Sequence, residues 1–171
     1  MKFDTPEVLA ELHRLYVCDP ETGEMRRTTA RGRYKAGQLA GGMSSRGRYL
    51  TLLVLGKYVA LHRAVWAMTK GAWPVGEIDH INGIKIDNRL CNLRDGSHQL
   101  NVQNIRVPTS ASSSGLLGAH CLNSRTKGTK KWGSSIALNG KSIHLGRFHT
   151  KEQAHTAYVE AKRRLHVGCT L

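Results

Sequence analysis

EIDHINGIKIDNRLCNLRDGSHQLNVQN, residues 77–104, is the stretch on which the reading of this chain turns. It sets Asp79 beside His80, follows them with Asn88 and Asn92 in a segment rich in turn formers, and places Asn101 nine residues past Asn92. The segment reads as a strand ending on His80, a loop, and a helix capped by Ser97, on which Asn101 and Asn104 share one face. Strand, loop and helix then converge on one small site.

The residue types suit the hydrolysis of a phosphodiester, which needs a nucleophilic water, a group to take its proton and a cation to steady the developing charge. Imidazole titrates near neutrality, so His80 suits the role of base. Asp79 and the side-chain oxygen of Asn101 are hard donors, of the kind that hold Mg2+ or Mn2+. Taken singly, an Asp-His pair is a surface turn and an Asn-rich loop a set of Asx-turns. The reading rests on the sub-motifs occurring together and in order.

Those sub-motifs are Asp79-His80, Asp87-Asn88-Arg89, Asn92-Leu93-Arg94 and Asn101. In this order they resemble the HNH, or ββα-metal, nuclease motif of phage and intron-encoded homing endonucleases. The resemblance implies that His80 is the general base, that Asp79 and Asn101 hold one divalent cation, and that Asn92 orients His80. Many HNH enzymes end the motif on histidine; Asn101 places this chain with the H-N-N subset. Residues 11–70 resemble the leader of the same family through the hairpin VCDPETG and the helix start Leu61-His62-Arg63. His62 is read there as a packing or phosphate-contact residue as readily as a catalytic one, and His98, one helical turn before Asn101, is not expected to be a ligand.

Outward from the motif, the N-terminal part begins with a helix: Thr5 as N-cap, Pro6 at the first position, then Val8, Leu12, Leu15 and Tyr16 on one face. Pro-Glu-Thr-Gly predicts a hairpin turn between two short strands. GRYLTLLVLGKYVAL predicts a second hairpin, turning at Gly56-Lys57, which runs into a helix bearing Leu61, Ala64, Val65 and Met68. On the other side, VPTSASSS has the small, polar composition of a flexible connection, and the domain boundary is placed there.

The C-terminal part predicts three strands and a helix. Asn139-Gly140 is a two-residue hairpin signal, Thr150 with Gln153 a capping box, and Ala154, Ala157, Tyr158, Ala161 and Leu165 an apolar stripe. Through Leu117-Gly118-Ala119, Lys131-Trp132, Ile136, Ile143, Leu145-Gly146-Arg147-Phe148 and Thr150 to Tyr158 it resembles the APETALA/ethylene-response DNA-binding domain. That resemblance implies a sheet lying in the major groove. The plant domains fill the exposed face with Arg and Trp, whereas Leu117, His120, Ser135, Ala137, Ser142 and His144 stand here, so their site preference does not carry over. Trp132 and Phe148 are read as core.

Charge fits this scheme: 26 Lys+Arg against 12 Asp+Glu give a formal +14, a field that draws polyanions. It is unevenly spread. Residues 21–70 and 110–171 each carry ten Lys/Arg and two acids, while residues 71–109 carry four of each, so a near-neutral centre lies between two basic arms. The candidate phosphate contacts are Arg46, Arg48 and Arg89 in the first part and Arg125, Lys127, Lys130, Lys131, Lys141 and Arg147 in the second. His120, Ser135 and His144 are candidate base-edge contacts. No long apolar run, amphipathic basic helix or lipidation signal points to a membrane, and the acidic, h-region-free start predicts no secretory signal. Cys18, Cys91, Cys121 and Cys169 are too scattered for a zinc knuckle and are expected to be reduced packing residues.

The expectation is therefore an α+β protein: a nuclease core over residues 1–108, a linker at 109–115, and a three-stranded antiparallel sheet packed on one helix over 116–171. Its partner is double-stranded DNA, with no small-molecule substrate. It acts as a monomer that nicks, or as a dimer where both strands are cut, in the cytoplasm (the bacterial host's if phage-encoded). The alternative is a non-catalytic DNA-binding regulator that keeps a degenerate nuclease core as scaffold. An RNA-binding role finds no aromatic stacking pattern on a sheet.

Overall fold

The computed structural model describes residues 4–45, 47–122 and 129–171. The chain mixes helix and sheet and divides into two compact units, Met1–His98 and Gln99–Leu171.

The first unit opens with α1 (Pro6–Leu15). Thr5 Oγ1 accepts from Val8 N at 3.4 Å, Pro6 takes the first position, and Val8 and Leu12 turn inward. Tyr16, expected on this helix, already begins β1 (Tyr16–Asp19), which pairs with β2 (Glu24–Arg27) from Tyr16↔Arg27 to Asp19↔Glu24. The Pro-Glu-Thr-Gly turn thus closes the expected hairpin, and β3 (Leu39–Ala40) joins its open edge. A second sheet is built from β4 (Gly42–Met43), β5 (Leu50–Val54) and β6 (Lys57–Ala60). Its hairpin turns at Leu55 and Gly56, φ 49° and 75°, one residue earlier than expected, because Val54↔Lys57 is the last rung of the ladder.

α2 (Leu61–Lys70) follows directly, buries Leu61, Ala64 and Val65, and stops at Gly71 in the left-handed region. β7 (Glu77–His80) then pairs with β8 (Leu93–Gly96), from Glu77↔Gly96 to His80↔Leu93. One core joins these pieces: Leu12, Tyr16, Met25, Leu52, Val54, Val65, Ile78 and Leu93 are all buried in it. Each such side chain contributes about 1.5–3 kcal/mol of transfer free energy, so the strand that ends on His80 is anchored through Ile78. α3 (His98–Gln103) starts on the residue after Ser97, at the junction of the two units.

The second unit contains β9 (Ala119–Cys121), β10 (Trp132–Leu138), β11 (Lys141–Phe148) and α4 (Lys151–Leu165). The antiparallel sheet runs β11-β10-β9 and α4 packs on all three strands. Asn139 and Gly140 turn the hairpin with φ 50° and 76°, and Thr150 and Gln153 form both halves of the capping box. Trp132 and Phe148 face each other across the ladder, each half-buried. The stripe of α4 differs from its sequence pattern: Ala154 and Ala161 are buried, Ala157, Tyr158 and Leu165 half-buried, and Lys162 is 1% exposed. The Lys162 ammonium escapes isolation by donating to the carbonyl of Ile105 and lying 5.8 Å from the Tyr158 ring centre.

Residues 99–108, expected at the end of the nuclease core, and 109–115, expected as the linker, are tied into this unit. Arg106 Nη2 donates to Thr170 O at 2.8 Å, Gly168 N donates to Gln103 Oε1 at 3.0 Å, and buried Ser114 donates to Ala119 O at 2.7 Å. A polar stretch of this kind is held by hydrogen bonds rather than apolar contact, which composition alone does not show. Cys91 and Cys121 are exposed and so do not pack, while Cys18 and Cys169 are half-buried. Among the described residues no helix is long and apolar enough to cross a membrane.

Candidate active site

The site of the first unit is built on β7, whose entry is clamped from two sides. Asp95 accepts from Val75 N and Gly76 N, both at 2.8 Å, and Arg63 of α2 donates to Gly76 O at 3.1 Å while pairing with Asp4 at 2.6 Å. The His-Arg step that opens α2 is thereby explained on its arginine side. Two residues farther along β7 from Glu77, Asp79 sits opposite Arg94, which donates to Oδ2 through Nε at 3.0 Å and Nη2 at 2.6 Å. Asp79 is 6% exposed, and Arg94 supplies its ion pair.

His80 ends the strand, 4% exposed, and the loop after it is held by its own side chains. Asn92 returns O to Ile81 N at 2.8 Å and Oδ1 to Asn82 N at 2.9 Å, and its Nδ2 donates to Asp87 O at 2.7 Å. Asp87 accepts from Asn82 Nδ2 at 2.7 Å and from Arg89 through Nε at 2.8 Å and Nη2 at 2.7 Å. The Arg89 guanidinium, with help from Asn82, pushes the Asp87 carboxyl down to about 2. Braced in this way, the loop sets Asn88 Oδ1 3.2 Å from His80 Nε2.

Asn92, expected to orient His80, bonds the backbone of the two residues that follow that histidine, while the asparagine on the Nε2 side of the ring is Asn88. Asn88 stood in the quoted Asp-Asn-Arg sub-motif without a role; a buried asparagine next to an Asp-Arg pair was the available signal.

Two rings close the other side. The His62 ring centre is 5.2 Å from that of His80 at 74°, and Tyr49 lies 5.1 Å from His62 and 6.2 Å from His80, with Lys85 Nζ 5.3 Å from the Tyr49 ring. Burial, reinforced by His80 and Arg63, pushes His62 down to about 3, and its Nδ1 is buried without a hydrogen-bond partner among the described residues. Burial also lowers His80, opposed by the bond to Asn88 and by the charges of Asp79 and Asp87. An imidazole held below its usual range is unprotonated at neutral pH and able to accept a proton.

His98 Nδ1 lies 2.9 Å from Glu77 Oε1. Asn101 lies in α3, half-exposed, and belongs to the second unit; Asn104 falls past the end of α3 and is buried. Arg48 is exposed, whereas Arg89 is committed to Asp87. In the second unit, cross-strand partners share a face: His120, Gly133 and Arg147 form one row, Ser135 and His144 the next, Ala137 and Ser142 a third. The His120 ring lies over Gly133, where an added Cβ would come within 2.6 Å of Nε2. Lys130, Lys131 and Lys141 are exposed, while Arg46, Arg125 and Lys127 lie outside the described residues.

No curated protein and no solved structure matches the chain. Residues 59–103 match the family model described as HNH endonuclease. That segment runs from β6 to the last residue of α3, and it contains His62, Asp79, His80, Asn88, Asn92 and Asn101. Residues 59–103 therefore carry an HNH endonuclease domain, and the activity that goes with it is that of a hydrolase cleaving DNA.

Proposed function

We propose that the protein is a metal-dependent, site-specific endonuclease of the homing type that cuts one strand of double-stranded DNA per active site, leaving 5′-phosphate and 3′-hydroxyl ends. The observation that carries this reading is the buried pair His80–Asn88 next to Asp79 at the end of one strand. With Asn88 Oδ1 accepting from Nε2–H, the lone pair of the imidazole resides on Nδ1, and that nitrogen takes the proton of the attacking water.

The donor set fits a hard divalent cation, Mg2+ or Mn2+. Asp79 is a buried carboxylate whose orientation Arg94 fixes through one oxygen, and an oxygen donor of this kind suits a hard ion. Asp79, with Asn101 as its counterpart in the motif, would hold the ion. Bound there, it supplies charge stabilisation for the developing anion and the leaving 3′ oxygen. The chain's own part is to fix the carboxylate, to keep His80 unprotonated and to set its tautomer.

The second unit is proposed as the DNA-gripping module, in the manner of the APETALA/ethylene-response domain it resembles. The face bearing His120, Ser135, His144 and Arg147 would meet the major groove, and Lys130, Lys131 and Lys141 would hold phosphates. The arrangement of those side chains on one face of the sheet supports this.

The test is nicking of supercoiled plasmid with Mg2+ by the wild type and by His80→Ala, with DNA binding measured in parallel. Nicking by the wild type and its loss in the variant, at unchanged affinity, is the expected result. Binding by both proteins and nicking by neither, across divalent metals, would overturn the reading.

A further inference from the structure

The first unit has an arginine-lined cleft that the reaction does not use. It has a volume of ≈ 700 Å³ and is walled by Arg14, Arg27, Arg31 and Arg33 together with Tyr16, Tyr34 and a single acid, Glu11. Glu11 is taken by Arg14, at 2.7 Å to Nε and 2.6 Å to Nη2. The other three guanidinium groups form no ion pair among the described residues. Among the described residues, three like charges thus line the cleft with no acid beyond Glu11, which also feels Arg31, and an entering anion relieves their repulsion.

Two of the three are held in place rather than left to wave in solvent. Arg27 is fixed between two rings, its guanidinium carbon 4.0 Å from the centre of Tyr34 and 5.8 Å from that of Tyr16. Its Nε is buried and has no acceptor among the described residues, which leaves the Nη groups as the donors an anion could meet. Arg33 lies 5.2 Å from the centre of the Tyr34 ring and donates to the Tyr34 hydroxyl at 3.1 Å. Both it and Arg31 ride on a tight turn closed by reciprocal bonds, Arg31 N to Tyr34 O at 3.0 Å and Tyr34 N to Arg31 O at 3.1 Å. A planar guanidinium stacked on an aromatic ring presents its N–H edge in a fixed direction, the geometry suited to phosphate oxygens.

We propose that this cleft binds a phosphodiester of the DNA backbone. The nuclease unit then has a grip on the duplex separate from its catalytic residues and from the sheet of the second unit. The inference rests on DNA being the substrate, and its test is chosen to read binding rather than cleavage.

The experiment measures the affinity of the full-length chain for a 30-base-pair duplex by fluorescence anisotropy over a range of salt, in a His80→Ala background that prevents cutting. Arg31→Ala/Arg33→Ala removes two exposed cations that pack in no core, and Arg31→Lys/Arg33→Lys keeps their charge. Loss of each phosphate contact lowers the slope of log Kd against log salt by about 0.9. The alanine pair is therefore expected to lower the slope by about 1–2, with the lysine pair close to the parent. An unchanged slope and Kd in the alanine pair overturns the proposal.

A second arm separates a backbone phosphate from a free one. If inorganic phosphate raises the melting temperature of the parent and not of the alanine pair, while the duplex slope stays the same, the cleft is a free-anion site and the backbone assignment fails. Wild-type plasmid nicking is scored separately. A reduced slope without nicking leaves the cleft standing and removes the nuclease reading; nicking with an unchanged slope does the reverse.

Discussion

His80 Nε2 lies 3.2 Å from Asn88 Oδ1, with both residues buried, at 4% and 3% exposure. An amide oxygen can only accept, so the proton of the neutral imidazole is on Nε2 and the basic lone pair on Nδ1. Asn88→Ala leaves a buried N–H without its acceptor, at a cost of about 1–3 kcal/mol in the native arrangement, and releases the tautomer. The expected outcome is a fall of about 10–100-fold in the single-turnover nicking rate, within the span over which positioned proton transfer acts, with DNA affinity within twofold of the wild type. Equal rates for Asn88→Ala and wild type would remove Asn88 from the site.

His62 makes the fold sensitive to acid. Its folded value of about 3 is below the ordinary 6.5, so as pH falls the unfolded chain takes the proton first. The stability this neutral imidazole contributes is whole above pH 6.5 and is lost between 6.5 and about 3. At about 1.4 kcal/mol per pH unit, the loss reaches about 2 kcal/mol at pH 5. Asp87, lowered from 3.8 to about 2, acts in a more acidic window, and His80, also lowered by burial, adds a loss of the same sign to both the wild type and His62→Asn. Urea unfolding at pH 7.5 and pH 5 should show that loss in the wild type and much less in His62→Asn; parallel curves for the two proteins would contradict a buried neutral His62.

Much of this was legible in the sequence, for local reasons. Thr5-Pro6, the Pro-Glu-Thr-Gly turn, Asn139-Gly140 and the Thr150–Gln153 box each specify their element through neighbouring residues, and each forms. His80 at the end of a strand was legible for the same reason. What escaped depends on contacts between segments. That Asn88 meets Nε2 while Asn92 holds the backbone after His80 follows from how Asp87, Arg89 and Asn82 fold the loop, and three asparagines in one loop look alike on paper. Lys162, 1% exposed, was unreadable because its partner, the Ile105 carbonyl, is 57 residues away. The ring packing of Tyr49 and His62 against His80 likewise joins residues far apart in the chain.

The first hairpin supports the loop that carries Asn88. Gly23 has φ +72°, and a Cβ there would come within 2.3 Å of the Asn88 carbonyl carbon and 2.5 Å of Arg89 N, while Leu90 N donates to Pro20 O at 2.9 Å. Gly32, at φ +57°, meets nothing within 4 Å, so alanine there carries the backbone cost alone, about 1–2 kcal/mol. Gly23→Ala adds the displacement of backbone that no side-chain rotation can relieve. It should cost about 2–4 kcal/mol in total and slow nicking by the folded fraction, because Asn88 moves. Melting curves and single-turnover rates of the two variants check this; equal losses at both positions would mean that the hairpin does not brace the site.

In the second unit, the rows on the open face of the sheet separate two kinds of contact. Arg147, in register with Gly133 and His120, is a long cation suited to a phosphate, whereas Ser135 and His144, paired across the same two strands, are short polar groups suited to base edges. Arg147→Ala should therefore weaken binding to all duplexes about equally and lower the salt slope by about 1. Ser135→Ala/His144→Ala should leave the slope unchanged and narrow the gap between the preferred site and a scrambled duplex by about 1–3 kcal/mol, the worth of one good base-edge contact. The measurement is a pair of anisotropy titrations per variant, one on each duplex, at two salt concentrations. A loss in the double variant that is the same on both duplexes would show that these residues do not read sequence, and would leave the sheet as a backbone grip only.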